Sequence, residues 1–209
     1  MKYFIDTEFA ERPYSIDLIS IAIVAEDGRE FYAESYDFQD HMANDWVREN
    51  VLPQLWSRHP DNKFGFGGTM NRLEIAKSVR LFVGEDKPEF WGYYCDYDWV
   101  VFCWLFGSMM DLPKGFPMYC RDLKQLCDSM GNPRLPPNDK DVHHALHDAR
   151  WIRSTLSWIE SLASDRADKK GRQLVGDMPW VTEHLTDEQI EDLKKQVGTC
   201  LRHFPRNQQ

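Results

Sequence analysis

The chain has 209 residues, of which 42% are hydrophobic and 28% are charged, and its formal net charge is -9 at pH 7. This length suits one substantial domain with a short appendage, and the balance is that of a soluble globular protein rather than a disordered or membrane chain. The acidic charge argues against a protein that coats nucleic acid non-specifically, because neutralising phosphates requires clustered Lys and Arg. A nuclease is still compatible with this charge, because cations bound to acidic ligands reverse the electrostatic field where the phosphate must approach.

Cysteine usage and the N-terminal segment bear on localisation. The five cysteines are an odd number, and none forms a Cys-x-x-Cys pair, which predicts reduced thiols. Residues 1–9 contain Asp6 and Glu8 and lack the basic flank and apolar run of a signal peptide. No apolar stretch of about 18 residues is present. We therefore expect a cytoplasmic protein without membrane association.

Three strands are predicted at the start of the chain, over residues 2–5, 16–25 and 29–35, where apolar residues dominate. Asp27 and Gly28 mark a turn between the last two, so the opening is predicted to be an antiparallel meander. Asp6 then lies at the end of a central strand. Residues 57–68 are predicted to form a polar, glycine-rich loop.

Helices and further strands follow in alternation. Asn44 or Asp45 is the predicted cap of the first helix, Thr69 of the second and Thr186 of the last. The predicted helices cover residues 46–51, 69–83, 98–106, 122–130, 144–163 and 187–201, and the predicted strands 89–93 and 118–120. Residues 131–139 contain three prolines and are predicted to be irregular.

This order of elements predicts an α/β fold with a mixed sheet covered by helices. Residues 1–163 are the predicted main domain. Residues 164–209 are a predicted accessory tail, in which a polar and basic linker or exposed loop over 164–176 precedes an amphipathic helix. The basic run in that linker is interpreted as a solvated loop, with contact to a phosphate backbone as the alternative.

The strongest chemical feature is Asp6-Thr7-Glu8 after an apolar strand. Two carboxylates at positions i and i+2 of a strand point to the same side of the sheet. They repel each other unless a cation or a proton lies between them, and hard divalent cations prefer oxygen ligands. Taken alone the pair also fits an exposed acidic turn, because short motifs match by chance.

Two later segments supply further candidates. Asp98 opens an apolar helix, where an acidic residue is also a common N-cap, and Asp96 competes for either role. His143 precedes Asp148 by five residues. In a regular helix residues i and i+5 are about 140° apart, so we expect His143 in the preceding loop. A loop histidine beside a metal-held carboxylate is able to take a proton from water.

In this order the segments resemble the three motifs of the DEDD superfamily of 3′-to-5′ exonucleases, in the branch that has a histidine five residues before the last aspartate. The correspondence covers Asp6, Glu8, Asp98, His143 and Asp148. Residues 3–9, 18–21, 24–30 and 141–150 further resemble the small bacterial exoribonucleases that include the polyadenylate-specific ribonuclease AS. The likeness extends over residues 1–159.

The resemblance implies a ribonuclease H-like fold, dependence on two Mg²⁺ or Mn²⁺ ions, release of nucleoside 5′-monophosphates and a homodimer. Asp6 would bridge both ions, Glu8 and Asp148 would complete one, Asp98 would hold the second, and His143 would be the general base. The expected partner is the 3′ end of single-stranded RNA, with DNA as the alternative. A preference for adenine comes from the resemblance alone.

Aromatic residues and the remaining histidines allow two interpretations each. Phe9 is a candidate for stacking on the terminal base, with core packing as an equal alternative. For Trp46 and Trp56 core packing is favoured over contact with a substrate or partner. His144 and His147 are interpreted as helix-surface residues rather than zinc ligands, because no cysteine lies at zinc spacing.

Three competing functions remain: a DNA exonuclease of the same fold, a catalytically silent nucleic-acid-binding module, and an oxygen-ligand metal protein unrelated to nucleic acid. A pocket group that reads the 2′-hydroxyl would distinguish RNA from DNA. The five motif positions, present together and in order, favour a metal-dependent exonuclease over the silent binding module and the unrelated metal protein.

Overall fold

The computed structural model describes residues 1–58, 69–138, 143–176 and 185–203. Six strands form one mixed sheet in the order β4-β3-β2-β1-β5-β6. The strands are β1 Lys2–Arg12, β2 Ser15–Ala25, β3 Glu30–Ser35, β4 Thr69–Met70, β5 Glu89–Gly92 and β6 Arg121–Asp122. This arrangement confirms the predicted mixed α/β class.

The first three strands form the predicted antiparallel meander. β1 is longer than expected, however, because its antiparallel pairing with β2 continues to Arg12 opposite Ser15. Asp6 therefore lies in the middle of β1, paired with Ala22, and not at the end of a strand. The apolar run from Lys2 to Ile5 marked only the first part of the strand, which has β2 on one edge and β5 on the other.

The parallel neighbour β5 pairs with only the first part of β1, through Lys2, Tyr3 and Phe4. Beyond Phe4 the edge of β1 that faces β5 is left without a strand partner. The two acidic positions of β1 lie beyond that point, where side chains from helices are able to approach them.

Six α-helices accompany the sheet among the described residues: α1 Asp45–Asn50, α2 Arg72–Val83, α3 Asp96–Phe106, α4 Leu123–Ser129, α5 Ala145–Gly176 and α6 Asp187–His203. Short 3₁₀ segments cover Asp40–Met42, Leu52–Gln54, Trp56–Arg58 and Met109–Asp111. The caps predicted at Asn44 and Thr186 are present, since each side-chain oxygen accepts a backbone N–H of the first turn.

Two predicted boundaries were wrong. α2 is capped by Asn71, in a reciprocal pair of bonds with Glu74, while Thr69 belongs to the edge strand β4. The strand expected over residues 118–120 lies instead at Arg121–Asp122, where β5 offers a parallel edge. Most of the predicted 57–68 loop, together with residues 139–142, lies outside the described residues.

Two apolar clusters hold the sheet. One face of β1 and β2 packs on α2 and α3, with Ile5, Ile23, Ile75 and Phe102 each fully buried. A second cluster joins Ala10 and Ile19 to α1 and the segment after it. Burial of side chains of this size contributes about 1.5–3 kcal/mol each, so the sheet and its helices form a rigid support for the polar residues described below.

The chain divides into two compact units, Met1–Thr155 and Leu156–Gln209, and the division falls within α5. Residues 164–176, predicted to be a linker or loop, are helical and continue α5 to Gly176. The basic residues that suggested a loop are compatible with a helix, because Lys and Arg are good helix formers. No helix in the described parts of the chain is long and apolar enough to cross a membrane.

Candidate metal-binding active site

Three carboxylates come together at the middle of β1. Asp6 and Glu8 leave the strand on the same side, opposite the small residues Ala22 and Ser20 of β2. Asp148, in the first turn of α5, completes the group, and one ligand oxygen from each of the three lies within 4.8 Å of the others. Residues 142 positions apart in sequence therefore form one acidic cluster.

Asp98 reaches the open edge of β1 from the first turn of α3. It is 7% exposed, and its Oδ1 accepts the backbone N–H of Thr7 at 2.8 Å and the Thr7 hydroxyl at 2.6 Å. The carboxylate thus takes the place of the missing strand partner. Cys95 is the N-cap of α3, so the alternative of a helix cap at Asp98 was wrong.

A close turn between β5 and α3 brings Asp98 to the strand. A Cβ atom built on Gly92 would lie 2.4 Å from the Cβ of Cys95, which real side chains do not tolerate. The backbone N–H of Cys95 donates to Asp122 Oδ2 at 3.2 Å and fixes the start of the helix. Only glycine at position 92 allows the chain to pass directly from β5 into the helix that carries Asp98.

His143 lies in the turn before α5, as expected from its spacing to Asp148. Its backbone is left-handed, with φ of 72°, and its N–H donates to Asp148 Oδ2 at 3.0 Å. The side-chain amide of Asn138 donates to the other oxygen of Asp148. Asn138 was missed by sequence reasoning, because it lies in a proline-rich irregular segment that has no periodicity to mark its side chain.

The ring of His143 meets Trp46 of α1 edge to face, with the ring centroids 4.8 Å apart and an interplanar angle of 79°. Trp46 is 51% exposed and Trp56 is 39% exposed, so the favoured interpretation that both fill the core was wrong. They lie on a short helix and on a 3₁₀ turn at the surface, where each ring is partly accessible.

His144 is 4% exposed and stacks on Tyr32 with a centroid distance of 4.8 Å and an angle of 18°. The prediction of a helix-surface residue was wrong for it, because the helix begins one residue later and His144 turns inward. His147 is partly buried and its ring stacks on that of His144. Neither histidine belongs to the acidic cluster, which is the group of metal-ligating side chains found among the described residues.

Phe9 follows the two acidic residues of β1, at a register shift between Glu8 and Phe9. It is partly exposed and contacts Tyr97 of α3 edge to face at 5.8 Å. Tyr97 is 44% exposed, and its hydroxyl donates to Glu11 Oε1 at 3.1 Å. The two rings form an accessible aromatic surface next to the carboxylates.

Burial and mutual repulsion alter the acidity of the carboxyl groups. The pKa of Asp6 is raised well above its usual range by burial and by the charges of Asp98, Glu8 and Asp148. The pKa of Glu8 rises to about 8 through burial and then the charges of Asp148 and Asp98. Burial also raises the pKa of Asp98 to about 6, against the lowering effect of the two Thr7 hydrogen bonds.

The same causes test whether a metal fits. Burial and the negative charge of neighbouring carboxylates both disfavour the ionised forms of Asp6 and Glu8. A bound divalent cation offsets the repulsion between these charges. The donor set consists of carboxylate oxygens, which suit hard cations such as Mg²⁺ and Mn²⁺ better than zinc. The residues therefore fit a divalent metal site.

The mixed sheet, with carboxylates clustered on its central strand, is similar in fold to known exonucleases. Two solved structures of exonuclease I, one of them a zinc-bound complex of the Escherichia coli enzyme with single-stranded DNA, each match with a TM-score of 0.51 at 14% identity. Each match covers 77% of this chain and 40% of the exonuclease I chain, so the chain spans less than half of that protein. At this identity the likeness establishes the fold.

The chain belongs to the Rv2179c-like family of 3′-5′ exoribonucleases, whose sequence model matches residues 1–160. Two relatives from Mycobacterium tuberculosis strains, the 3′-5′ exoribonucleases MT2234.1 and Rv2179c, are each 45% identical over 150 residues. The matches cover 72% of this chain and 88% of each relative. They confirm the expected resemblance to small bacterial exoribonucleases.

Proposed function

We propose that the protein removes nucleotides from the 3′ end of single-stranded RNA and releases nucleoside 5′-monophosphates. One observation carries the proposal: in a chain of an exoribonuclease family, Asp6, Glu8 and Asp148 place ligand oxygens within 4.8 Å of one another, with Asp98 buried at the same strand. Adenine-rich ends are candidate substrates on the resemblance alone.

Four carboxylates are assigned to two Mg²⁺ or Mn²⁺ ions. Asp6 would bridge the two, with Glu8 and Asp148 on one and Asp98 on the second. When bound, such a pair stabilises negative charge on the attacking and leaving oxygens of a phosphodiester. The hydrogen bonds from Thr7 to one oxygen of Asp98 hold that carboxylate in place for this role.

His143 is assigned as the general base. Its imidazole takes a proton from the water that attacks the last phosphorus atom of the RNA, and the bond from phosphorus to the 3′ oxygen of the preceding nucleotide breaks. The leaving 3′ oxygen takes a proton from solvent, so the shortened RNA ends in a 3′-hydroxyl. The turn before α5 and the bond from the His143 N–H to Asp148 keep the base beside the carboxylates.

Phe9 is assigned to substrate binding. Single-stranded RNA is held mainly by stacking of its bases on aromatic side chains, at about 1–3 kcal/mol per base. Phe9 follows directly on the acidic residues of β1, and its ring contacts that of Tyr97 on α3, which is also accessible. This surface would receive the terminal base.

The assembly and location are part of the proposal. After its acidic first turn α3 carries only apolar residues, and Val100, Trp104 and, just beyond the helix, Met110 are 36%, 47% and 76% exposed. A helix of this kind is normally covered, which supports a homodimer. The five cysteines are free, which supports a reducing cytoplasm. Residues 1–163 would be the exonuclease domain and 164–209 an accessory tail.

The test is a time course on 5′-labelled oligonucleotides of matched sequence, as RNA, DNA and oligo(A), with Mg²⁺, with Mn²⁺ and with EDTA. Wild type is compared with Asp6→Asn, which keeps the size of the side chain. We expect ladders that shorten from the 3′ end of RNA faster than DNA, and that are absent with EDTA and in the variant.

Each other result identifies a competing function. Equal or faster digestion of DNA would make the protein a deoxyribonuclease. No digestion of either strand by folded, metal-bound protein would favour the non-catalytic module, and metal binding without any affinity for nucleic acid would favour an unrelated metal protein.

A further inference from the structure

Two tryptophans of one short segment contact two consecutive histidines. Residues 45–58, here called the tryptophan segment, comprise α1 and the two 3₁₀ turns that follow it. Trp46 at its beginning touches the ring of His143, and Trp56 near its end touches the ring of His144 at 5.4 Å. The segment thus contacts both residues of the turn that presents the proposed general base.

The first of these contacts comes from a fixed helix. The Asn44 side chain caps α1 by accepting the N–H of Val47 at 2.9 Å. Val47 is 4% exposed in the apolar cluster that includes Ala10 of β1. The position of Trp46, next in sequence to Val47, is therefore tied to the same strand that carries Asp6 and Glu8, and its ring limits where the His143 ring can lie.

The second contact is part of a network around two buried polar residues, His144 and Glu34. The rings of Tyr32 and Trp56 lie 4.6 Å apart, and His144 stacks on Tyr32 and contacts Trp56 at an angle of 40°. Glu34, 2% exposed, accepts the Tyr32 hydroxyl at 2.8 Å and the backbone N–H of Ser57 at 3.2 Å. One carboxylate therefore holds the two rings that enclose His144.

The backbone at His143 makes this support necessary. A non-glycine residue in the left-handed region costs about 1–2 kcal/mol and persists only where its surroundings hold it. His143 is held by its N–H bond to Asp148, by Trp46 against its ring and by the enclosure of His144. A change in either tryptophan would allow the turn to relax and the imidazole to move.

We propose that Trp46 and Trp56 are positioning residues for His143: the tryptophan segment sets the place of the imidazole relative to the carboxylates of β1. This inference rests on the proposed role of His143 as general base. It predicts an effect on the rate of hydrolysis rather than on RNA binding, because a base displaced by about 1 Å costs up to about 100-fold in rate.

Direct stacking of a nucleobase on the exposed side of Trp46 is the competing interpretation, and it predicts the opposite kinetic pattern. Loss of a stacking contact raises KM or the Kd for RNA and leaves the chemical step unchanged. The distinction between kcat and KM therefore separates the two roles.

The experiment uses the full-length protein with saturating Mg²⁺ and single-turnover cleavage of oligo(A). Trp46→Leu and Trp56→Leu are each compared with Trp46→Phe and Trp56→Phe, which keep an aromatic ring. Trp158→Leu, at a partly exposed tryptophan of α5 beyond the first unit, is the control. Each substitution is also made in a His143→Ala background, and thermal melting checks that every variant is folded.

We expect each Leu substitution to lower the rate constant about 10-fold or more with RNA affinity within about twofold, and each Phe substitution to restore most of the rate. In the His143→Ala background the same Leu substitutions should have no further effect, since they act through that residue. The control should leave the rate unchanged.

Two outcomes would overturn the inference while leaving the proposed function intact: full rates in both Leu variants, or equal losses with and without His143. A rise in Kd alone would replace positioning with base stacking. If His143→Ala itself retains full activity on RNA, the assignment of the general base fails, and with it this inference. No activity in the wild type would instead contradict the proposed function.

Discussion

Thr7 donates two hydrogen bonds to a single oxygen of Asp98, one from its backbone N–H and one from its hydroxyl. This pair of bonds joins the first acidic motif to the second across 91 residues of sequence. It also lowers the pKa of Asp98 against the effect of burial, so Thr7 keeps the carboxylate closer to the ionised form that a cation requires.

Replacing Thr7 with Val removes the hydroxyl and keeps the shape of the side chain. We expect the pKa of Asp98 to rise further, the Mg²⁺ concentration for half-maximal activity to increase severalfold, and the stability to fall by about 1 kcal/mol because a buried hydrogen bond is lost. Magnesium titrations of activity on oligo(A) measure the first effect. Thr7→Ser keeps the hydroxyl and should behave like wild type; equal metal requirements in Val and Ser variants would contradict the prediction.

Stability of the metal-free protein should fall as the pH rises from about 4.5 to about 8, the usual and the raised pKa of Glu8. In that window the folded chain keeps a proton that the unfolded chain has lost, so the free energy of unfolding decreases with a slope of at most about 1.4 kcal/mol per pH unit for this group. Urea unfolding with EDTA at several pH values measures the slope. Glu8→Gln should flatten it, and an unchanged slope in this variant would refute the assignment.

Added Mg²⁺ should raise the melting temperature of wild type more at pH 8 than at pH 5. The cation binds the ionised carboxylates, and at low pH it must displace protons held by Asp6 and Glu8. Thermal melting with and without Mg²⁺ at the two pH values measures the difference. The Asp6→Asn variant is the control, and it should show little stabilisation at either pH.

Gly92→Ala should impair the site and the fold together. The added methyl group would lie only 2.4 Å from the Cys95 Cβ and 3.3 Å from its sulfur. Because the first distance is a clash, the start of α3 must shift, and Asp98 shifts with it. We expect a loss of about 1–3 kcal/mol in stability, typical of overpacking, and a lower activity at saturating Mg²⁺. Gly115→Ala is the comparison variant, because nothing lies within 4 Å of the corresponding Cβ. Its positive φ, which Gly92 does not share, means that any destabilisation there comes from the backbone and not from a clash. A Gly92→Ala variant with wild-type stability and activity would contradict the prediction.

His143→Gly should be more stable than His143→Ala while both lose activity. At φ of 72° glycine avoids the clash of a Cβ atom, a difference of about 1 kcal/mol. Both variants lack the imidazole, so neither should cleave RNA at the wild-type rate. Chemical denaturation and cleavage assays on the same preparations provide the two measurements; a less stable glycine variant would show that the left-handed backbone carries no strain.

Sequence patterns predicted the fold well where they were periodic. The β1 to β3 meander and the loop position of His143 followed from apolar runs and from helical spacing, which depend on local residues. The prediction failed where distant segments decide the outcome. β1 continues past Ile5 because β2 pairs with it, and residues 164–176 are helical although their composition resembles a loop.

For the site, the identities of the acidic residues were available from the motifs, but their surroundings were not. The burial of His144 depends on Tyr32 and Trp56, which reach it from other elements, and no spacing in the sequence signals such a contact. Asn138 is missed for the same reason. The exposed state of Trp46 was also unexpected, since large aromatic residues are usually buried.

The site joins contacts of very different sequence separation. His143 and Asp148 are five residues apart, whereas Thr7 and Asp98 are separated by 91 residues. Long-range contacts of this kind require closure of a long loop and form late in folding. The carboxylates also repel one another as they converge, so their final approach opposes folding in the absence of a cation. If the cluster forms only after the main barrier, divalent cations should slow unfolding and leave the rate of folding nearly unchanged.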